Sequence, residues 1–371
     1  MKILITTASV GSGHIRAAEA LFIELKNRFP NDDIKIVDFT AKKRAFLPWL
    51  LKSVYLRMLK YLPNLYDVFY NVSKGGHIGN LTGMMFSALT SPFMHAVLKA
   101  ENPDIILATH PFPEGATAFL RNFGLWKKPL LAAVLTDYSL HNIWLYKNVD
   151  IYFVATEEMK DELVKSGVAK VAYALGIPIT EGKSLSKETA REKLNLNADK
   201  AILIMGGGLG LGGIEKSLGE LENAIEKLNI LVVTGQNEVL YEKTKKIANN
   251  SKHNVKIFSY TKEIFTLMTA SDLLITKPGA LTMTEAFSVG LPMLLHEPIP
   301  GPEAKNALYA EKLGAAFWVH KSESILEKAQ NILTNEEVYE NMKLSARAIS
   351  KKDASKKIVE VLSEFFQNKK R

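Results

Sequence analysis

The chain has 371 residues, 47% hydrophobic and 23% charged, a balance that gives two domains of ordinary size a core each and excludes a disordered or fibrous protein. With no cysteine it has no disulfides, no thiolate metal site and no cysteine nucleophile. A formal charge of +8 points to an anionic partner, a phosphorylated ligand or an acidic membrane surface; no zinc-finger, helix-turn-helix or aromatic RNA-binding signature supports nucleic acid.

The opening MKILITTASV is too short for a signal peptide and runs into GSGH without a cleavage-type end, so it reads as a buried strand, Lys2–Thr7. Gly11-Ser12-Gly13-His14 follows it and opens a helix from Ile15 to Arg28. Its small residues let a ligand approach the backbone, and His14 can exchange a proton near neutral pH; a plain glycine turn before a helix gives the same pattern. Candidate strands continue at Ile34–Asp38, Ile105–Thr109, Leu130–Thr136, Ile151–Ala155 and Val171–Ala174.

Between them, the region from Ala41 to Leu98 breaks the alternation. Lys42, Lys43, Arg44, Lys52, Arg57 and Lys60 precede any acidic residue and are interleaved with Phe46, Trp49, Tyr55 and Tyr61. Such a segment suits a helix lying in an anionic membrane interface, or a basic helix packed on its own domain. The Gly- and Met-containing stretch from Gly75 to Phe93 is expected to form a mobile lid. No run reaches the roughly 18 apolar residues a spanning helix needs.

Thr136-Asp137-Tyr138-Ser139-Leu140-His141 ends an apolar strand, which displays a carboxylate at the sheet edge. Asp137 there can take a proton or orient a base, with His141 sharing the site; an N-capping Asp and a surface histidine are the alternative. His14, His110, Asp137 and His141 lack any recognised metal-ligand spacing, so no metal site is expected.

A polar stretch, Gly182 to Lys200, marks a boundary between an N-terminal domain, residues 1–180, and a C-terminal domain, 181–371. Strands resume at Ala201–Met205, Ile230–Thr234, Val255–Phe258, Leu273–Thr276 and Pro292–His296. Repeated βα units predict an α/β protein of two doubly wound, Rossmann-like domains facing across a cleft. The glycine loop Met205–Gly213 suits a phosphate or a flexible turn. Lys277-Pro278-Gly279 then turns into a helix from Leu281 to Ser288, whose N-terminus beside Lys277 suits a phosphate; Thr282 with Glu285 could instead complete a capping box.

Several of these motifs carry a resemblance. GSGH with AAEAL, LTDYSLHNIWLYKNVDIYFVATEEMKDEL, GIPI, LIMGGG, and ITKPGALTMTEAFSVGLP with PIPGPEAKNA are similar to the diacylglycerol glycosyltransferases, both the plant monogalactosyldiacylglycerol synthases and the bacterial processive glucosyltransferases. The resemblance implies a GT-B fold with acceptor binding in the N-terminal half and donor binding in the C-terminal half. The C-terminal helix is expected to pack back on the N-terminal domain. The expected reaction is inverting transfer of a hexose, glucose by preference, from a UDP-sugar to diacylglycerol at the cytoplasmic face of the membrane, with no cofactor and no metal.

By motif, the resemblance implies that His14 and Asp137 are catalytic, with His141 in support. It puts Gly207 and Gly208 near the diphosphate, Thr282 on a phosphate, Tyr260 near the base, Glu285 on the ribose, and Glu303 with Asn306 on the sugar; Lys277 and Gly279, at the turn read above, are the remaining candidate donor contacts. Lys42, Lys43, Arg44, Trp49, Arg57 and Lys60 are the expected membrane and acceptor contacts. Ala280 stands where relatives often have a second glycine, and GGGLGLGG departs from the family's usual wording. Transfer to another lipid-linked acceptor, such as a peptidoglycan precursor, and a non-catalytic UDP-sugar sensor at the membrane are the alternatives.

Overall fold

The computed structural model describes residues 1–9, 11–41, 76–126, 129–180, 182, 185–197, 199–208, 210, 213–298 and 301–369, with backbone alone at 76–82 and 366–369. The expected membrane contacts Lys42, Lys43, Arg44, Trp49, Arg57 and Lys60 lie outside the described residues. The chain divides into two units: Met1–Thr180 with Pro300–Pro302 and Lys351–Arg371, and Glu181–Ile299 with Glu303–Ser350.

In the first unit the apolar runs become six parallel strands in the order β2-β1-β3-β4-β5-β6: β1 Lys2–Thr7, β2 Asp33–Asp38, β3 Ile105–Ala108, β4 Leu130–Val134, β5 Ile151–Val154 and β6 Ala172–Ala174. β3, β4 and β5 are buried at every position, as expected for continuous apolar strands covered on both faces. Its helices are α1 Gly13–Arg28, α2 Gly76–Glu101, α3 Pro111–Asn122 and α4 Glu157–Lys165, with a short 3₁₀ turn at Asn142–Trp144. α1 begins two residues earlier than the sequence pattern suggests, so His14 lies within its first turn. The stretch expected as a lid is part of α2, which packs along α3. The last helix of the chain belongs to this unit, with Ile358, Val359 and Leu362 buried among Ile3, Leu21 and Leu25.

The second unit repeats the pattern in the order β12-β11-β10-β7-β8-β9, again all parallel. Its strands are β7 Ala201–Met205, β8 Asn229–Val233, β9 Asn254–Phe258, β10 Leu273–Thr276, β11 Met293–Leu295 and β12 Ala316–Trp318. Its helices are α5 Lys187–Lys193, α6 Ile214–Leu221, α7 Glu238–Ala248, α8 Ile264–Ala270, α9 Ala280–Val289, α10 Pro302–Lys312, α11 Ile325–Thr334 and α12 Glu336–Ile349; α13, Ala354–Lys369, closes the first unit. β12 was not expected: Ala316-Phe317-Trp318 is three residues long, too short to show a period. Buried Asp272 accepts from the Ala201 N–H (2.7 Å) and from Lys187 (2.5 Å), tying the starts of β7 and β10 together.

In each sheet the strand order changes direction once, between β1 and β3 and between β7 and β10. Loops leaving two such strands part to opposite sides and leave a crevice beyond the carboxyl ends. Both crevices fall on the motifs singled out above.

Candidate functional site

Register places the ends of β1 and β3 side by side, with Thr6 opposite Ala108. The next residues on each strand therefore meet. His14 Nδ1 lies 2.8 Å from the Thr109 carbonyl oxygen and 2.7 Å from Thr136 Oγ1, while Thr109 Oγ1 donates to the His14 carbonyl (3.0 Å). A carbonyl can only accept, so Nδ1 carries the proton and Nε2 keeps its lone pair. Burial pushes the imidazole down to about 4, so it is a neutral base at pH 7. The His110 ring stands edge-on at 4.5 Å, and burial, then its neighbour His14, holds it well below the usual histidine range. The Trp144 ring lies 6.5 Å from His14.

Asp137 is half-buried and directly follows Thr136, whose Oγ1 accepts from the same His14 Nδ1–H, so its segment is tied to the imidazole. His141 is buried, and its Nδ1 accepts from the Ile143 N–H (3.3 Å) as the N-cap of the 3₁₀ turn. The capping alternative thus falls on the histidine, which is not at the surface. The Tyr152 hydroxyl accepts from the Tyr146 N–H and lies 2.9 Å from the Trp144 and Tyr146 carbonyl oxygens, pinning the turn that carries Trp144. Beneath it, Glu114 is fully buried in the first turn of α3, and burial raises its carboxyl well above the usual range.

Thr109, His110, Thr136 and Trp144 were not assigned a part in catalysis from the sequence. Only strand order makes them neighbours of His14. Among the described residues, no group of three or more His, Asp and Glu side chains is placed to hold a metal ion.

In the second unit Thr276 lies opposite Met205, which brings the glycine loop beside the Lys277 turn. Gly207 has φ +67°, and a Cβ there would sit 3.6 Å from Lys277 Cε. The Gly235 backbone packs against this loop: its own Cβ would fall 2.6 Å from the Gly208 carbonyl oxygen, at φ +62°. Gln236 donates its N–H to that same carbonyl (3.0 Å). Lys277 pairs with Glu303, both largely buried, and a Cβ on Gly279 would lie 3.5 Å from Lys277 Nζ. Asn306 is fully buried and donates to the Pro278 carbonyl (3.2 Å), so α10 holds the turn in place.

α9 starts at Ala280 with Gly279 as its N-cap, without a side-chain cap and without an acidic residue in its first turn. Thr282 is therefore inside the first turn, and the capping box of Thr282 with Glu285 does not form. The first-turn N–H groups have no carbonyl within the helix to bond, and the partial positive charge there reinforces Lys277. Glu285 is buried on the same helix. Tyr260 is half exposed beyond the end of β9, three strands from β10, a separation of about 14 Å at the usual spacing. The sequence did not single out His296, after β11. Its Nε2 is 3.2 Å from Ser217 Oγ on α6, and burial lowers it to about 4.

Residues 14–179 match the monogalactosyldiacylglycerol (MGDG) synthase family, and residues 201–362 match the glycosyltransferase family 28 C-terminal domain. The processive diacylglycerol beta-glucosyltransferase of Bacillus pumilus is 30% identical over 98% of this chain and 94% of its own. That of Bacillus licheniformis is 30% identical over 99% and 97%. Among solved structures, MurG of Acinetobacter baumannii aligns with a TM-score of 0.61 at 17% identity, over 98% of this chain and all of the other. Phytolacca americana UGT2, complexed with UDP-2fluoro-glucose and pterostilbene, aligns at 0.64 and 11%, over 98% and 99%. The fold is thus GT-B in class, built of two Rossmann-like units.

Proposed function

This chain belongs to the diacylglycerol glycosyltransferase family, and from that premise we propose that it transfers glucose from UDP-glucose to the free hydroxyl of diacylglycerol, with inversion, at the cytoplasmic face of the membrane. The observation that carries the reading is the near-full-length likeness to enzymes named for this transfer. The two crevices supply groups suited to its two halves.

On the acceptor side, His14 Nε2 takes the hydroxyl proton as the oxygen attacks the anomeric carbon. The Thr109 carbonyl fixes the tautomer that leaves Nε2 free to do so. Asp137, on the segment tied to His14 through Thr136, stabilises the imidazolium as it forms. On the donor side, the departing diphosphate is held by the first-turn amides of α9, the glycine loop at Gly207 and Gly208, and Lys277. Glu285 takes the ribose, Tyr260 the base, and Glu303 with Asn306 the sugar. No metal is needed if these groups neutralise the leaving group, so chelation with EDTA leaves the rate unchanged.

The test offers labelled UDP-glucose and UDP-galactose in turn to the enzyme with diacylglycerol liposomes. Glucosyldiacylglycerol is the expected product. No glycolipid from either donor would refute the proposal.

A further inference from the structure

Glu114 sits fully buried in the first turn of α3, and no step of the proposed transfer uses it. Both carboxyl oxygens are shut off from water, and no hydrogen bond of standard geometry reaches them. No cation is among the groups that shift its titration. Burial raises it well above the usual carboxylate range, and only the Tyr152 hydroxyl pulls the other way. Burial without a counter-charge favours the neutral acid, which donates a hydrogen bond where a carboxylate can only accept. A buried carboxyl with no cation costs stability, and leucine would fill the same space without that cost. Packing is therefore a poor reason for a glutamate here.

Tyr152, the group it meets, organises one wall of the first crevice. Its hydroxyl accepts from the Tyr146 N–H (2.9 Å) and lies 2.9 Å from the carbonyl oxygens of both Trp144 and Tyr146. One hydroxyl hydrogen serves two carbonyls, while the oxygen keeps a lone pair beyond the one given to Tyr146. An un-ionised Glu114, turning about its soft last torsion, donates to that lone pair and leaves the hydroxyl hydrogen to the carbonyls. A carboxylate in its place would compete with them for the same hydrogen. The side chain of Tyr146 is fixed as well: its hydroxyl is 3.0 Å from Ser87 Oγ, which donates to the Gly83 carbonyl (2.8 Å) on α2. Next to Glu114, Gly115 has no Cβ to collide with that pair.

The turn so held carries buried Trp144, whose ring lies 6.5 Å from that of His14. Around the imidazole stand Thr109 after β3, Thr136 before Asp137, His110 at the start of α3, and Trp144. Of these four only His110 titrates, and burial keeps it neutral. Glu114 in turn is faced by Tyr152 from β5 and Tyr146 from the turn. We propose that Glu114 is a positioning residue for the transfer: through Tyr152 it holds the Asn142–Trp144 turn in place, so that Trp144 keeps water from the His14 imidazole. This rests on the reading of His14 as the base, but the state of His14 can be measured without turnover.

Histidine titration followed by NMR reads that state, with the His14 signal assigned by its loss in His14→Ala. In the wild type His14 stays neutral down to about pH 4. Glu114→Gln, whose amide donates to Tyr152 and cannot ionise, behaves as the wild type does. Glu114→Leu fills the space without the donor, and Tyr152→Phe keeps the ring without the hydroxyl. In both, His14 protonates at least about one pH unit higher, toward 6.5, as water reaches it. Their kcat falls about 10–100-fold while UDP affinity stays within about twofold. Glu114→Leu melts no lower than the wild type; if it does, Tyr152→Phe carries the test. An unmoved His14 in either folded variant would overturn the proposal. So would a Glu114→Gln protein that behaves like Glu114→Leu, or a shifted His14 with unchanged kcat. No glycolipid from the wild type, with His14 shifting as described, would instead count against the catalytic reading and leave the positioning result intact.

Discussion

At the β1–β3 crevice the lining is His14, His110, Thr109, Thr136 and Trp144, with cationic side chains absent from that group. At the β7–β10 crevice it is glycine backbone, Lys277 and carboxylates. The topology is the same: an all-parallel sheet, a change of strand direction, and loops parting at the carboxyl ends. The chemistry differs because the loops differ. One crevice holds a neutral base in a low-dielectric wall, suited to drawing a proton from a hydroxyl. The other offers amide donors and a cation, suited to receiving a diphosphate.

The sharpest way to break this division is to remove the base. His14→Ala, and separately Asp137→Ala, should lower kcat by about 10²–10⁴-fold, the range for a lost acid–base group, with UDP affinity unchanged by titration calorimetry. Weakened UDP binding in either variant would mean that the two crevices do not divide the work.

Acid should affect both crevices alike, since each has a buried histidine lowered to about 4, His14 in one and His296 in the other. The unfolded chain takes up these protons near 6.5 and the folded chain only near 4. Between those values the unfolded state binds more protons, so stability is intact above about pH 6.5 and falls as pH drops toward 4. The loss is about 3 kcal/mol for each histidine, read by urea unfolding at several pH values. The acid limb of kcat/KM should likewise lie near pH 4.

Lys277→Met should act on the donor side alone. It removes a charge-assisted contact to phosphate, worth roughly 1.5–3 kcal/mol, so UDP binds about 10–100-fold more weakly while kcat at saturating donor changes little. Gly235→Ala tests the backbone with no change of charge. At φ +62° and 2.6 Å from the Gly208 carbonyl, the added methyl strains the glycine loop by about 1–2 kcal/mol. A several-fold loss of UDP affinity and a Tm lower by about 2–8 °C are expected.

Strands were the most legible part of the sequence, because buried parallel strands are nearly continuous apolar runs. β12 escaped because three residues give no period, and the start of α1 because Gly13 and His14 read as turn. Thr282 with Glu285 resembled a capping box, yet the helix begins at Ala280, and a glycine N-cap leaves no side-chain signature. The chemistry at His14 was legible as a residue type but not as an arrangement. Its partners Thr109 and Thr136 lie 95 and 122 residues away, and only the neighbouring of β1 and β3 brings Thr109 to it.

The most direct test of the central claim is mass analysis of the lipid products when UDP-glucose and UDP-galactose are each supplied with diacylglycerol liposomes, for the wild-type protein and for His14→Ala. Glucosyldiacylglycerol from the wild type, and none from a variant that still binds UDP, is the predicted result. Equal product from both proteins, or none from the wild type with either donor, would contradict it.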